Sequence, residues 1–353
     1  MAKEVTKKMA SFAIFLSLII AILMTVGSIV CKQTSNSFYQ KGIENLDNFR
    51  YAKACSYFYK AGEFKNSEFY YKHALAYSKS ESASISAKVS HTAVLRKNGT
   101  VVCVGYQEKG CFCLDASEFK DIIAVSTGAV HTVGLRCDGS VVATKFEENS
   151  PLDKGQCEVE NWEQIVQISA NSFYTLGLTV DGTVKFTGEG ENLEQVRDWE
   201  DIVAISAGGN FALGLKSDGT VVSTKPDNQL ENFGQSDVGD WENVAQISAG
   251  QFHAVAVLKD GTVRAVGNNE HSQTNVSSLK NVSLACATNS STYAVTKSGE
   301  LLCVGKNFVD SNLSHVVAIC GGNDFVCMVL DDGTRKGFGE NSHNQHAIEG
   351  IQK

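Results

Sequence analysis

The sequence predicts a mainly β protein: a seven-bladed β-propeller preceded by a transmembrane helix and a short α-helical hairpin. Three observations lead to this prediction. A 20-residue phrase centred on Asp-Gly or a related turn recurs seven times, an uncharged run of 21 residues stands near the N-terminus, and a segment rich in Tyr, Phe and Lys separates the two.

The composition suits a folded protein, and the charge is unevenly distributed along the chain. Apolar residues make up 43% of the 353 residues, enough for a core. Residues 1–84 hold 11 Lys/Arg against 6 Asp/Glu, whereas residues 85–353 hold 20 against 33. An acidic domain repels phosphate backbones, so we expect no nucleic-acid partner. The 11 cysteines form no CxxC pattern, which favours structural thiols, and we expect no metal or other cofactor.

The uncharged run, residues 11–31, is predicted to be a transmembrane anchor, with residues 1–10 in the cytoplasm. Its 21 residues are enough to cross about 30 Å of hydrocarbon as a helix. Lys3, Lys7 and Lys8 precede it, so the positive-inside rule places the rest of the chain on the extracytoplasmic side. The predicted localisation is therefore the cell membrane, with a single pass and the propeller outside.

Two alternatives to this signal anchor stay open. A cleaved signal peptide could end near residues 26–28, and a lipid could be attached at Cys31. Val30 disfavours the lipid, because lipoprotein signals usually carry Gly or Ala at that position.

Residues 38–81 are predicted to form a tetratricopeptide-like helical hairpin. Aromatic and small residues recur at helical packing positions, and Gly62 stands where the two helices would turn. The Tyr/Phe stripe is interpreted as core rather than as a ligand groove. Because about three such repeats are normally needed to bury a core, the hairpin is either a spacer or packs on the domain that follows.

Residues 84–353 are predicted to form the propeller. In each copy an apolar run predicts a buried strand, an alternating segment predicts a second, and the residues after the turn predict a third. The turn glycines are spaced by 40, 43, 37, 42, 38 and 34 residues, and they are Gly99, Gly139, Gly182, Gly219, Gly261, Gly299 and Gly333. Strand-rich units of about 40 residues in seven copies are typical of a β-propeller.

Three finer features of the repeat carry predictions. Asp-Gly or Asn-Gly predicts a two-residue hairpin, because both residues tolerate positive φ. An aromatic or leucine residue three positions before the next apolar strand is predicted to wedge between units; these residues are Phe119, Trp162, Trp199, Trp241 and Leu279. The terminal segment 346–353 is predicted to complete a blade with the first copy.

The phrase S-A-G-x-x-H-[TA]-[VL]-[AG]-L-x-x-D-G-[TS]-V, followed by [VT]-G-x-N-x-x-x-Q, resembles the repeat of the regulator of chromosome condensation family. The resemblance covers residues 85 to about 350 and implies a propeller. The family's eukaryotic founder exchanges guanine nucleotide on a small GTPase through an inserted wedge, for which the short spacings here leave little room. In their short length the repeats are similar to those of a secreted bacterial propeller that inhibits β-lactamase and binds protein through one face.

This second resemblance implies where a partner would bind. One position shared by the seven copies accepts His, Tyr, Phe or Ser and is interpreted as framework. The residue just before it varies freely and is predicted to face out of the fold. The candidate protein-binding residues are two aromatic anchors, their polar neighbours and residues of two Asn/His-rich loops: Phe173, Phe252, Asn210, Asp324, Asn269, His271 and His343.

The function predicted is therefore a monomeric, membrane-anchored, extracytoplasmic scaffold that binds a protein and catalyses no reaction. The sequence has no G-x-S-x-G, H-E-x-x-H or GxxxxGK[ST] motif, and its recurring aspartates are turn residues. A cell-surface carbohydrate-binding or hydrolytic propeller is one alternative. Guanine-nucleotide exchange on a small GTPase is the other.

Overall fold

The computed structural model describes residues 31–45, 51–78, 84–89, 91–226, 231–306, 313–345 and 347–351. Within these ranges three α-helices come first: α1 (31–45), α2 (Tyr51–Ala61) and α3 (Ser67–Tyr77). None of the helices in these ranges is both long and apolar enough to cross a membrane. The predicted anchor falls almost wholly on residues 1–30, outside the described residues.

Within the described residues, 21 strands form seven separate antiparallel sheets of three strands, numbered here blade 1 to blade 7 in chain order. Every sheet keeps the sequential strand order. The prediction of a mainly β, seven-bladed propeller is confirmed. The strands are β1 (Ile85–Lys88), β2 (His91–Leu95) and β3 (Val101–Gly105) in blade 1; β4 (Ile122–Thr127), β5 (Thr132–Arg136) and β6 (Val141–Ala143) in blade 2; β7 (Ile165–Asn171), β8 (Tyr174–Thr179) and β9 (Val184–Gly188) in blade 3; β10 (Ile202–Ala207), β11 (Ala212–Lys216) and β12 (Val221–Ser223) in blade 4; β13 (Val244–Ala249), β14 (His253–Leu258) and β15 (Val263–Gly267) in blade 5; β16 (Val282–Ala287), β17 (Ser291–Thr296) and β18 (Leu301–Gly305) in blade 6; and β19 (Val316–Gly321), β20 (Phe325–Leu330) and β21 (Arg335–Gly339) in blade 7.

The blades form a closed ring. The first strand of each blade contacts the first strand of the next, and β19 of blade 7 contacts β1 of blade 1. These first strands therefore surround the axis. Serines at one position of five first strands join neighbouring blades: the Ser206 hydroxyl, for example, accepts the Ala249 N–H at 2.9 Å. Closure removes the inner sheet edges from solvent.

The repeated Asp-Gly turn has a different geometry from the one predicted. In blade 4 the Lys216 N–H donates to the Thr220 carbonyl (2.9 Å), which encloses a three-residue loop. Gly219 has φ 93°, whereas Asp218 has no positive φ. Instead, Asp218 Oδ1 accepts the backbone N–H and the hydroxyl of Thr220, at 2.8 and 2.7 Å. The prediction of a two-residue turn is wrong, because the aspartate is needed as an acceptor and only the glycine for its conformation.

The same turn also joins the blades. The Gly219 carbonyl accepts the N–H of Val244, the first residue of β13, at 3.0 Å. Equivalent bonds link the turn glycines of blades 1 to 6 to the first strand that follows. The Asp-Gly sequence recurs because both the hairpin turn and the hydrogen bond to the following blade require it.

The predicted wedge residues do separate successive blades. Trp162 is buried in one cluster with Leu135 of blade 2 and Ile165 of blade 3. A Cβ placed on Gly177 would lie 2.6 Å from the Trp162 ring, so blade 3 has no room there for a larger residue. In blade 6 the smaller wedge Leu279 shares its cluster with Ala294. Blade 5 has the large wedge Trp241 in one cluster with Ala256, so the residue that meets the wedge is glycine or alanine in these blades.

The C-terminal segment contributes to the contact between blade 7 and blade 1, which closes the ring. Ile348 is fully buried with Ile85 and Val94 of blade 1. The Arg335 guanidinium donates to the carbonyls of Ile351 and Leu95, at 2.7 and 3.1 Å. The predicted proximity to the first copy is confirmed. Within the described residues the segment adds no strand to blade 1, so it completes a joint between blades instead.

The helices pack on the propeller, and α3 enters it. Gly62 (φ 62°) makes the turn between α2 and α3, as predicted. The aromatic stripe is core: the Phe58 ring is buried and stacks 5.3 Å from Tyr70. α3 contacts β7 and β10, two strands that surround the axis. It therefore lies in the axial channel, and the predicted hairpin is no detached spacer.

One side chain of α3 replaces a bond that the repeats supply elsewhere, and a second adds a contact of its own. The Tyr77 hydroxyl accepts the Ile168 N–H at 3.2 Å, and His73 Nδ1 lies 2.9 Å from the Val166 carbonyl. At the next joint the corresponding N–H, that of Ile205, is accepted by Gln167 Oε1 at 2.9 Å. Blade 2 has the short Ala124 where blade 3 has that glutamine, and Tyr77 packs beside it. α3 is thus a structural part of the ring.

Candidate functional site

The propeller has two different faces. The turn face carries the Asp-Gly-type turns and the helices: a Cβ placed on Gly139 would lie 3.3 Å from the Phe69 ring of α3. The opposite face, called the loop face here, carries the turns between the first and second strands. The loops that follow the third strands begin there too, since the Asn268 N–H donates to the Phe252 carbonyl at 2.8 Å.

All seven sequence-predicted residues lie on the loop face. Phe173, Asn210, Phe252 and Asp324 lie in the turns between first and second strands. Asn269, His271 and His343 lie in the loops after β15 and β21. The fold thus places on one face residues that are up to 170 positions apart, from Phe173 to His343.

An exposed aromatic pair stands on the blade 4–5 side of this face. The rings of Phe252 and Phe233 meet edge to face, with their centroids 5.5 Å apart. Phe233 is 42% exposed, and Phe252 is half-buried beside it. The sequence reasoning missed Phe233. The available signal was its position two residues before Gln235, the same place that His271 and His343 occupy before Gln273 and Gln345.

The buried glutamines hold these loop tips in place. Gln235 accepts the Phe233 N–H (2.7 Å) and donates to the Glu231 carbonyl (2.7 Å). Gln273 and Gln345 accept the N–H groups of His271 and His343 in the same way, both at 2.9 Å. Because each glutamine is almost completely buried, the residue two positions earlier is presented on a fixed backbone.

The variable turn position is less free than the sequence indicated. Asn210 Nδ2 donates to Glu231 Oε2 at 2.8 Å, which ties the blade 4 turn to the following loop. Asp324 accepts the Ser290 hydroxyl at 2.6 Å and pairs with Lys306 at 3.6 Å. Ser290 is buried and Asn210 and Asp324 are half-buried, and these contacts engage all three side chains with neighbouring residues of the loop face.

The remaining predicted residues make separate contacts on the loop face. The His343 ring lies 4.9 Å from the Tyr106 ring, which is 42% exposed. Asn269 Oδ1 accepts the Thr274 N–H at 3.0 Å and stabilises its own loop. Phe173 is half-buried in the short turn between β7 and β8.

The framework histidines are structural, as predicted. The Nε2 atoms of His91, His131 and His253 lie 3.1, 2.9 and 3.0 Å from threonine hydroxyls of the next blade. Burial lowers the pKa of His253 to about 4 and that of His131 to about 3. The neutral ring is therefore the form present near pH 7. Among the described residues, no three His, Cys, Asp or Glu side chains are grouped to hold a metal ion.

Two outer-strand thiols and two turn carboxylates lack the features of catalytic groups. Burial raises the pKa of the Cys103 thiol to about 12 and that of Cys303 to about 11, which opposes formation of a nucleophilic thiolate. Hydrogen bonds from Thr220 lower the pKa of the Asp218 carboxyl. That carboxylate is engaged within its own turn, as is Asp260 by Thr262.

Comparison with known proteins agrees with this architecture. Residues 244–273, which span β13 to the loop after β15, match the regulator of chromosome condensation (RCC1) repeat. One of the seven repeated units of the propeller therefore matches an RCC1 repeat. No curated protein sequence is similar enough to count as a relative.

Solved structures share this propeller fold at low sequence identity. The CRINKLY WD40 ectodomain of the Arabidopsis thaliana receptor kinase ACR4 is 17% identical (TM-score 0.57; 75% of this chain and 98% of that chain covered). The ectodomain of the Physcomitrella patens receptor kinase CR4 is 18% identical (TM-score 0.58; 72% and 73%). Prp20p from Saccharomyces cerevisiae, described with its binding to Gsp1p and histones, is 16% identical (TM-score 0.54; 69% and 81%). Such identities show the fold alone.

Proposed function

We propose that this RCC1-type propeller is a non-enzymatic scaffold that binds a protein through its loop face. The observation that carries the proposal is the Phe233–Phe252 pair, an exposed aromatic surface on a loop fixed by the buried Gln235. Aromatic residues held in one conformation are typical anchors of protein interfaces, because little conformational entropy is lost when they are covered.

The occupied axial channel supports the choice of this face. α3 fills the channel where it opens toward the turn face, through the contacts of His73 and Tyr77. Ligands of propellers that enter a channel from that side would meet the chain's own helix. The loop face, in contrast, carries all seven predicted residues together with Phe233 and Tyr106.

We further propose that residues 11–31 anchor the protein in the cell membrane, with the propeller on the extracytoplasmic side. The support is the uncharged run preceded by lysines. α1 begins its described part at residue 31, and its Tyr39 ring lies 5.7 Å from Phe64 at the turn-face end of α3. An anchored chain would therefore turn its loop face away from the bilayer. The similarly folded ACR4 and CR4 domains are ectodomains of receptor kinases.

The two alternatives have less support. A carbohydrate-binding or hydrolytic propeller would need an open central pocket with free carboxylates, yet α3 lies in the channel and the turn carboxylates bind their own turns. Guanine-nucleotide exchange rests on likeness to Prp20p, which is a likeness of fold.

The test is quantitative affinity capture from membranes of cells that produce the full chain. Three forms are compared: the wild type, the double variant Phe233→Ala/Phe252→Ala, and Tyr59→Ala. Tyr59 is 74% exposed on α2, so its variant controls for the loss of an exposed aromatic group away from the loop face. Loss of a central anchor weakens binding by about 2 kcal/mol or more, roughly 30-fold.

We expect one or more proteins to be retained by the wild type and by Tyr59→Ala and to be lost from the double variant. Equal melting temperatures of the three forms show that the double variant is folded. Identical capture by all three forms would exclude the aromatic pair as the binding surface. Protease protection of the propeller in intact cells would overturn the extracytoplasmic placement.

A further inference from the structure

The outer rim of the propeller has strand edges that the blades themselves do not pair. Within the described residues each blade has three strands, and the third strand is the outermost. In blade 5 the third strand is β15, which pairs with β14 on its inner side over all five of its residues. No strand in the described part of the chain pairs with its other side.

The register of β15 shows which backbone groups face outward. The Leu258 N–H donates to the Thr262 carbonyl and the Asn268 N–H donates to the Phe252 carbonyl, both at 2.8 Å. Because hydrogen-bonded pairs alternate along an antiparallel ladder, Arg264 and Val266 direct their backbone groups toward β14. The N–H and carbonyl groups of Val263, Ala265 and Gly267 therefore point away from the sheet. No backbone hydrogen bond among the described residues reaches them.

Other blades cover the equivalent edge with their own chain. In blade 3 a 3-10 helix, Glu191–Asp198, packs along β9, and Arg197 donates to the outward carbonyl of Phe186 at 3.4 Å. In blade 6 the outward N–H of Leu301 donates to the Leu313 carbonyl at 3.0 Å. In blade 5 a shorter 3-10 helix, Val276–Ser278, also contacts β15, but no backbone hydrogen bond from it reaches the outward groups of Val263, Ala265 and Gly267.

An open groove lies beside β15, between this helix and the loop that precedes β13. Its volume is about 610 Å³, and it is lined by residues 263–266 of β15, by 274–277 of the following loop, and by Asp237, Asp240 and Trp241. Arg264 pairs with Asp240 at 2.8 Å, whereas no ion pair among the described residues includes Asp237. The groove thus has an open strand edge and one uncompensated carboxylate.

From this edge and groove we infer a second binding site, in which an extended peptide carrying a basic residue adds to β15 as a fourth strand. The outward groups of Val263, Ala265 and Gly267 supply the main-chain hydrogen bonds, as in other complexes formed by strand addition. Asp237 attracts the basic side chain. Small or β-branched side chains suit the wall formed by Val263 and Ala265. The site is on the rim and is independent of the loop face.

The probe is the blocked peptide Lys-Thr-Val-Thr-Val-Thr-Lys, labelled and titrated against the full chain in detergent micelles by fluorescence anisotropy. Hydrogen–deuterium exchange then locates the bound segment. The variant Ala265→Pro removes one outward N–H and leaves the bonds of Arg264 and Val266 to β14 in place. The matched control is Ala143→Pro, the same substitution at the equivalent outward position of β6 in blade 2.

We expect saturable binding, slower exchange of the segment that contains β15, and an affinity about fivefold lower in Ala265→Pro, as for one lost hydrogen bond. Ala143→Pro should bind like the wild type, and Asp237→Asn should weaken binding less at high salt than at low salt. A second peptide, N-methylated on the amides that would face β15, should not bind to any form. This comparison does not depend on the folding of a proline variant.

Three results would overturn the inference: absence of binding by the wild type at millimolar peptide, equal binding of the methylated peptide, or protection confined to other blades. A dimer of the wild type that Ala265→Pro dissociates would also overturn it, because a second copy of the chain would then occupy the edge. None of these results bears on the capture experiment at the loop face.

Discussion

Replacing the buried His253 with phenylalanine should remove part of the acid sensitivity of the propeller. His253 is fully buried, with Nε2 3.0 Å from the Thr292 hydroxyl. Phenylalanine already occupies this position in blades 4 and 7, as Phe211 and Phe325, and both rings are fully buried. Thr292 also donates to the Gln273 carbonyl at 2.8 Å, so the substitution leaves its hydroxyl hydrogen-bonded.

The expected magnitude follows from the two states of the imidazole. Burial lowers the pKa of His253 from 6.5 to about 4 in the folded protein. As the pH falls below 6.5, the imidazole becomes protonated in the unfolded chain, whereas in the folded chain it stays neutral down to about pH 4. The free energy of unfolding therefore decreases between pH 6.5 and pH 4. At pH 5 the loss is roughly 2 kcal/mol, because each unit between 6.5 and the pH corresponds to about 1.4 kcal/mol.

The assay is urea unfolding of the full chain in detergent, followed by tryptophan fluorescence at pH 7.5, 6.5, 5.5 and 5.0. At pH 7.5 His253→Phe should match the wild type to about 1 kcal/mol, the net contribution of one hydrogen bond. At pH 5.0 it should be the more stable form by about 2 kcal/mol relative to that starting difference. His271→Asn, at an exposed histidine of the same blade, serves as the control and should follow the wild type at every pH.

Carboxylates that titrate in the same range affect all three forms alike, so the difference between forms isolates the histidine. Parallel loss of stability by the wild type and His253→Phe between pH 7.5 and 5.0 would refute the reasoning. It would mean that the folded protein protonates this ring as readily as the unfolded chain does.

Two further substitutions test the joints between blades. Tyr77→Phe removes the hydroxyl that accepts the Ile168 N–H at 3.2 Å and leaves a buried donor unpaired, so the free energy of unfolding should fall by about 1–3 kcal/mol. Calorimetry compares this variant with Tyr59→Phe, a control at an exposed position of α2. Equal melting temperatures of the two variants would contradict a structural role for α3. Gly177→Ala places a Cβ 2.6 Å from the Trp162 ring and should cost about 1–3 kcal/mol in urea titrations, whereas Gly239→Ala, with no atom within 4 Å of its Cβ, should be nearly neutral. Adding Trp162→Leu to Gly177→Ala reproduces the Leu279–Ala294 pairing of blade 6, so the double variant should lose less stability than the sum of the losses in the two single variants. Strictly additive losses would show that the wedge residue and the glycine do not act together.

The repeat allowed the architecture to be predicted from the sequence, because each blade is specified by residues close together in the chain. Hydrophobic runs of the period of a strand, a glycine with positive φ, and a wedge of fixed spacing recur within about 40 residues, and each acts on its neighbours in sequence. The seven blades, the buried framework histidines and the position of Trp162 between blades could therefore be predicted. The turn was mistaken in detail because Asp218 could be chosen either for its backbone or for its side-chain oxygen, and the sequence does not distinguish the two uses.

The candidate site was predictable only in part. Alignment of the copies located Phe173, Phe252, His271 and His343 on one face, since equivalent positions of a repeat share a side of the ring. Phe233 was missed because its importance depends on Gln235 folding the loop back and on the nearby Phe252 ring. The half-buried state of Asn210 likewise depends on Glu231, which belongs to another segment of the loop face.

The sequence by itself determined that this chain repeats one three-stranded unit seven times, because that information lies in short-range patterns. Only the tertiary structure decided how the ring closes, where α3 goes and which edges stay open. Tyr77 and Ile168 are 91 residues apart, and Leu95 and Arg335 are 240 apart. Contacts of this kind leave no periodic signal, because each is made once, by a side chain that compensates for what a particular blade lacks.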